Sequence, residues 1–336
     1  MNLELRINAF SQLGDQIRAL ETSEFSLLNE AIANQNPWFT PENVRMALLG
    51  IAKLLDKNEL IKWTSTYQLN PSQVKTIGLA MAGNIPLVGF HDFLCVLIAG
   101  HKVKAKLSSS DSILLPHLAN KLISIEPSFN GFIHFEERLN HVDGVIATGS
   151  DNTARYFEYY FRSIPHIIRK NRSSCAVLSG KEKVEGLTRL GSDVFSYFGL
   201  GCRNVSKLFL PKDYSMTNLF PAWDNYSHLV HHHKYANNYD YQKSILLVNK
   251  IPFYDNGFVL MKEEEASVSP ISVLFYEYYQ DMQDLNSKIE SHGGKTQCIV
   301  SDKKWVTGSE DFGAAQFPGL SDYADNMDTL AFLEKI

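Results

Sequence analysis

From Ile77 onward the chain alternates short apolar runs with amphipathic ones, and that alternation limits the fold more than any other feature. Ile77–Met81 is a strand-like run that ends in the turn Gly83-Asn84-Ile85-Pro86. A helix is expected over about Leu87–Ile98, closed by Gly100. Val103, Ala105 and Leu107 then alternate with Lys102, Lys104 and Lys106, the period of a half-buried strand. A helix over about Ser112–Leu122, capped by Ser110 or Asp111, comes next. It is succeeded by a strand at Gly144–Ala147, the turn Thr148-Gly149-Ser150 and a helix from Asn152 to about Arg162. A strand at Ser174–Leu178, a helix over Glu182–Phe198, a glycine loop and the strand Val205–Leu210 continue the pattern. Strands alternating with helices require a mostly parallel sheet with right-handed crossovers, an α/β class.

The flanks are less regular. Thr40-Pro41-Glu42 is a helix start, with Val44, Leu48, Ile51, Leu54 and Leu55 at helical spacing behind it, so helices dominate the first sixty or so residues. Asp213–Tyr241 is polar and rich in aromatics and histidine, and reads as an irregular surface excursion. Strands are expected at Ile245–Val248, Phe258–Met261, Ile271–Tyr276 and Gln297–Val300, with a helix over Asp281–Ser291. After Gly313 the pattern is loop and then a terminal helix. The 336 residues suit two domains, and a chain of this length buries a sizeable core without staples.

Several function classes are disfavoured. A net charge of −5 without a long basic run leaves no footprint for nucleic acid. The most apolar stretch, Ile85–Ala99, contains His91 and Asp92 and is too short to span a bilayer, and Met1–Asp15 has no leader pattern. The cysteines (Cys95, Cys175, Cys202, Cys298) form no CxxC pair, which argues against structural zinc or a disulfide framework and for a cytoplasmic setting. His228, His231, His232 and His233 are close neighbours in sequence that point in different directions, so no metal site is expected. GxxxxGK[ST] and GxSxG are absent, and Gly199-Leu200-Gly201 lacks the third glycine and the helix of a dinucleotide fingerprint.

Four features admit a chemical reading beside a structural one. Cys202 sits in Gly199-Leu200-Gly201-Cys202-Arg203-Asn204, where the glycines permit close approach and Arg203 favours a thiolate. Its structural reading is a buried small hydrophobe, which Cys95 and Cys175 retain. Asn84 is either a turn residue or an amide donor to an oxyanion. Gly149 and Ser150 open a helix after a strand, a place where backbone N–H groups can meet an anion. The lysines of the Lys102–Lys106 strand are a solvated edge or a reach toward a cofactor.

In chain order these segments resemble the aldehyde dehydrogenase superfamily, and within it the LuxC-type acyl-CoA reductases. Ala82-Gly83-Asn84-Ile85-Pro86-Leu87 is similar to the Pro-Trp-Asn-Phe-Pro segment, with glycine for tryptophan, and this implies an oxyanion role for Asn84. Ala99-Gly100-His101 to Lys106-Leu107-Ser108 resembles the Ala-Gly-Asn to Lys-Pro stretch, placing Lys106, or Lys104 if the register slips, at the adenosine ribose. Lys106 with Ser108 could take a 2′-phosphate. Thr148-Gly149-Ser150 looks like the turn against the cofactor pyrophosphate, and Cys202 falls at the nucleophile. Val177-Leu178-Ser179-Gly180-Lys181 resembles Glu-Leu-Gly-Gly-Lys with valine at the water-activating glutamate, which implies transfer to a thiol over hydrolysis. Glu264-Glu265-Ala266-Ser267-Val268-Ser269-Pro270 loosely resembles Glu-x-Phe-Gly-Pro and gives Glu265 the nicotinamide ribose. Gln316-Phe317-Pro318-Gly319 to Asp325 looks typical of the LuxC-type group.

The resemblance implies a Rossmann-like cofactor domain with an N-terminal helical region (1–172), a catalytic α/β domain carrying the cysteine (173–300) and a return segment (301–336). It implies NADPH- or NADH-dependent reduction of an acyl-CoA or acyl-protein thioester to an aldehyde through an acyl-cysteine. The alternatives are the same chemistry run toward acyl-CoA, or a non-catalytic partner subunit. Expected partners are an acyl-CoA or acyl-carrier thioester, with a homo-oligomer or an acyl-transfer protein compatible with the family.

Overall fold

The computed structural model describes residues 1–336, which fold into two compact units: Met1–Asn171 with Pro318–Ile336, and Arg172–Phe317. The expected return segment 301–336 is thus divided, its first part in the second unit and the rest in the first.

The first unit opens with four helices, α1 (Leu3–Arg18), α2 (Thr22–Gln35), α3 (Pro41–Leu54) and α4 (Lys57–Thr64). Thr40 caps α3 as its sequence suggests, the hydroxyl accepting the Asn43 N–H at 3.3 Å with proline in the first turn. Then come β1 (Thr76–Ala80), α5 (Phe90–Ala99), β2 (Lys102–Lys106), α6 (Leu114–Ile125), β3 (Ile133–Phe135), β4 (Gly144–Thr148), α7 (Asp151–Phe161) and β5 (His166–Arg169). The strands form one parallel sheet in the order β3-β2-β1-β4-β5. One face packs on the helical core, where Phe10, Leu13, Phe93 and Leu97 are sealed from solvent. On the other, Val145 and Ala147 meet Phe157 and Phe161 of α7. From β1 the chain crosses to β2 on one side and later returns to β4 on the other. The carboxyl ends of β1 and β4 therefore flank a topological switch point, where α/β sheets commonly bind ligands.

The second unit holds β6 (Ser173–Val177), α8 (Val184–Phe195), β7 (Val205–Pro211), the short α9 (Phe220–Trp223), α10 (His233–Val248), β8 (Tyr254–Asp255), β9 (Leu260–Glu263), β10 (Val273–Tyr279), α11 (Met282–His292) and β11 (Thr296–Ser301). Its sheet runs β11-β6-β7-β10-β9-β8, parallel except for the β8–β9 pair. The chain ends in α12 (Thr329–Glu334), back in the first unit.

Several local expectations change. Ile245–Val248 is the last turn of α10, not a strand. Tyr235, Tyr239 and Leu246 are buried at helical spacing whereas Leu247 and Val248 are exposed, so the apolar run straddles two faces of a helix. Much of Asp213–Tyr241 is helical, not irregular. The helix expected from Ser112 starts at Leu114 with no side-chain cap, because the Asp111 carboxylate accepts the Leu87 N–H instead. The helix expected to reach Phe198 stops at Phe195.

Candidate functional site

In the second unit the site begins where α8 ends. Tyr197, Phe198 and Gly199 all take positive φ (51°, 58° and 78°), so the chain reverses sharply after the helix. Only the glycine adopts this conformation freely, and the two aromatics are held in it by packing. Phe198 lies under His232, with ring centroids 4.4 Å apart, and beside Tyr235 at 5.9 Å. The aromatic segment before α10 thus buttresses the turn, while His232 also caps α10.

Asn204, 1% exposed, ties the turn together. Its Oδ1 accepts the Gly201 N–H at 2.7 Å. Its Nδ2 reaches the carbonyls of Ser196 (2.8 Å), Asp193 (3.1 Å) and Val194 (3.4 Å). Helix ends leave such carbonyls without intrahelical partners. One amide therefore caps α8 and clamps the residue before Cys202. Cys202 is half-buried in this turn, and its carbonyl accepts from Ser174 Oγ at 3.1 Å.

The same Ser174 Oγ lies 3.1 Å from Cys298 Sγ and accepts the Cys298 N–H at 3.2 Å. Burial pushes the Cys298 thiol up. It pushes Cys175 up to about 12 and Cys95 well above the ordinary range, so these thiols stay protonated at neutral pH. None of the four cysteines is in a disulfide. Asp193, fully buried, accepts N–H groups from Gly313 (2.6 Å) and Ala315 (3.0 Å), and burial raises its carboxyl to about 7. Val177 is fully buried in β6. Glu265 is exposed in the loop after β9.

In the first unit, Asn84, Lys106, Ser108, Thr148, Gly149 and Ser150 all lie at or just beyond the carboxyl ends of β1, β2 and β4. Asn84 is exposed in the turn after β1. Its neighbour Gly83 packs on Ser108, where a Cβ would stand 2.5 Å from Oγ. A tryptophan could not occupy this position, which explains the glycine. Asp111 pins the far side of the turn, its Oδ2 accepting the Leu87 N–H at 2.7 Å while Leu87 takes φ 59°. Lys106 is exposed, whereas Lys104 donates to the Asn140 carbonyl at 2.9 Å. Ser150 caps α7, its Oγ accepting the Thr153 N–H at 3.3 Å. Asp151 in the first turn already supplies a negative charge to that helix end, so a phosphate there would meet hydroxyls more than bare dipole.

A water-sized cavity of about 10 Å³ opens between the ends of β1 and β4, lined by Ala82, Gly89, Asp92 and Thr148 among others. Asp92 pairs with Arg169, which also donates to Thr329 Oγ1 at 2.8 Å, but Asp92 Oδ1 is buried without a partner. A buried polar atom left unmet at a switch point fits a polar ligand edge or its water. The exposed Lys106 and the hydroxyls of Thr148 and Ser150 lie along the same end of the sheet. No group of three or more His, Cys, Asp or Glu side chains is arranged to hold a metal ion.

Reasoning from residue types alone misses Asn204, Asp111 and the Asp92–Arg169 pair. The signal for Asn204 is a polar residue directly ahead of the apolar strand Val205–Leu210. No helix is long and apolar enough to cross a membrane.

No protein-family model and no curated protein matches the chain. Solved structures do. An aldehyde dehydrogenase described as putative, from Burkholderia cenocepacia, is 13% identical at TM-score 0.64, over 92% of this chain and 75% of that one. A mutant of aldehyde dehydrogenase C from Pseudomonas syringae, in complex with NAD+ and octanal, is 10% identical at 0.64, over 94% and 74%. The NAD+ complex of a Bacillus cereus aldehyde dehydrogenase is 12% identical at 0.63, over 90% and 72%. The fold of this chain is that of the aldehyde dehydrogenases, with a Rossmann-like parallel sheet and a second, mixed sheet.

Proposed function

We propose that the chain is a nicotinamide-dependent reductase of acyl thioesters, LuxC-like in its chemistry, that carries the acyl group on Cys202. The observation that carries the reading is the Cys202 turn: a half-buried thiol clamped by a fully engaged asparagine behind three left-handed residues. A fold that maintains such backbone commonly does so for a site.

The Cys202 thiolate adds to the thioester carbonyl and the Cys202 N–H donates to the oxyanion; the resemblance assigns Asn84 the role of a carboxamide donor. Each donor contributes roughly 3–4 kcal/mol to lowering the barrier. The carbonyl re-forms as the bond to the departing thiol breaks; that thiol takes a proton and the acyl group remains on Cys202. Val177 brings no carboxylate to activate water, which favours exchange with thiols over hydrolysis. When bound, a reduced nicotinamide dinucleotide would supply the hydride that reduces the acyl group. Cys202 holds that group for reduction and would leave as the thiolate when the aldehyde departs. Lys106 is assigned to the adenosine ribose with Ser108 beside it, Thr148, Gly149 and Ser150 to the pyrophosphate, and Glu265 to the nicotinamide ribose. NADPH is the proposed donor, with NADH the alternative.

The test is incubation with radiolabelled acyl-CoAs of graded length. Wild type should acquire a hydroxylamine-labile acyl adduct and release aldehyde once NADPH or NADH is added; Cys202→Ala should acquire none. A wild type that stays unlabelled, or a Cys202→Ala protein labelled as heavily, makes the chain a non-catalytic partner. Free acid without nucleotide makes it a hydrolase.

A further inference from the structure

The apolar strand β7 contains one lysine, Lys207, and it is almost completely buried, with 1% of its surface exposed. Burying an ammonium is costly unless each of its donors is met. Here they are met in an uneven way. One donor pairs with Glu277 Oε2, which supplies the countercharge. The other two go to consecutive main-chain carbonyls, Glu264 at 2.9 Å and Glu265 at 2.7 Å, with His292 Nε2 farther off at 3.5 Å. Burial by itself raises the Glu277 carboxyl, but the Lys207 and Lys288 ammoniums more than offset this and hold it below its usual range. Next to Lys207, Ser206 Oγ donates to the Ser267 carbonyl at 2.7 Å. The loop after β9 is therefore fastened at three carbonyls by two neighbouring side chains of β7, whose first residue stands three positions beyond Cys202.

Two consecutive carbonyls converging on one cation fix the orientation of the peptides on both sides of Glu265. The Glu265 carboxylate itself stays exposed. A surface loop needing only attachment could be held by one such bond; this arrangement fixes two successive peptides. We infer that Lys207 is a positioning residue, which orients Glu265 toward the nicotinamide ribose by holding its backbone. The inference rests on the ribose role proposed for Glu265. It identifies the strand that carries the nucleophile turn as the support of that cofactor contact as well.

The test compares wild type, Lys207→Met, Glu265→Ala and the double variant in titrations with NADPH and with NADH, monitored by dihydronicotinamide fluorescence. Thermal melts and the nucleotide-free rate of acyl-adduct formation on Cys202 are measured alongside. Lys207→Met should weaken dinucleotide binding by roughly tenfold, while adduct formation stays within about twofold. Glu265→Ala should weaken binding comparably, and adding Lys207→Met to it should cost less than about twofold more. Additive losses, unchanged binding in Glu265→Ala, or an equal slowing of acylation in Lys207→Met would overturn the inference. Should Lys207→Met fail to fold, Lys207→Arg takes its place: it should bind dinucleotide more weakly than wild type but more tightly than Glu265→Ala, and wild-type affinity in it would overturn the inference. A wild type that neither binds dinucleotide nor takes an acyl group defeats the underlying function. A wild type that does both, with Glu265→Ala binding weakly but Lys207→Met binding as well as wild type, defeats only the role of Lys207.

Discussion

Asn204 shows how much one uncharged side chain can organise. Its amide meets three carbonyls at the end of α8 and one N–H in the turn that carries Cys202. Asn204→Ala leaves those groups buried and unmet, and should lower stability by roughly 2–4 kcal/mol. It should also slow acylation of Cys202 by more than the loss of folded protein accounts for. Urea titration combined with single-turnover acylation checks both; a variant that acylates at the wild-type rate would show that the clamp serves folding alone. The cysteine stands out in the sequence by its glycines and the neighbouring Arg203. Its support does not, because Asn204 acts on carbonyls eight to eleven positions earlier in the chain. Lys207 falls between these cases: a lysine inside Val205–Leu210 is visibly out of place, but its partners come from β10 and the loop after β9.

At the scale of elements, strand periodicity placed β1, β2, β4, β6 and β7 to within a residue or two, since each alternates or is mostly small and apolar over its length. The strands β3 and β5 and the extent of α10 were not legible. β3 has 3 residues and β5 has 4, and α10 buries only Tyr235, Tyr239 and Leu246. The connections are where polar residues take unexpected work. Asp111 gives up the helix-cap role its position suggests and holds the loop after Asn84 by accepting the Leu87 N–H. Burial raises the Asp111 carboxyl from 3.8 to about 6. Between those values the folded chain keeps a proton that the unfolded chain releases, so this group makes stability fall as pH rises through the window and adds no change above it. In Asp111→Asn that dependence disappears. The stability gap between variant and wild type should widen in the variant's favour by about 1–3 kcal/mol from about pH 4 to 6, then hold level. Denaturant midpoints taken across that range decide; a gap that stays flat, or widens in favour of wild type, contradicts the assignment.

Across the whole molecule, the alternation of strands and helices indicated an α/β chain, but it gave no sign that one unit would be built from two separate stretches of sequence. Leu320, Tyr323, Leu330 and Leu333 sit in the core of the first unit, more than 140 positions beyond its other contributors. Tyr323 accepts the Trp63 Nε1–H at 2.9 Å, and Thr329 receives Arg169. Removing Pro318–Ile336 strips these side chains from the core at roughly 1.5–3 kcal/mol each, comparable with the whole stability of a domain. The shortened chain should lose cooperative unfolding of the first unit, seen as rapid proteolysis within Met1–Asn171; equal resistance would mean the segment only decorates the surface. This divided construction also bears on biosynthesis. Met1–Asn171 emerges from the ribosome long before Leu333 does, and until then its interior lacks the piece that closes it. Its assembly must wait while Arg172–Phe317 is made, and that interval leaves the half-closed intermediate open to chaperones and to misassembly.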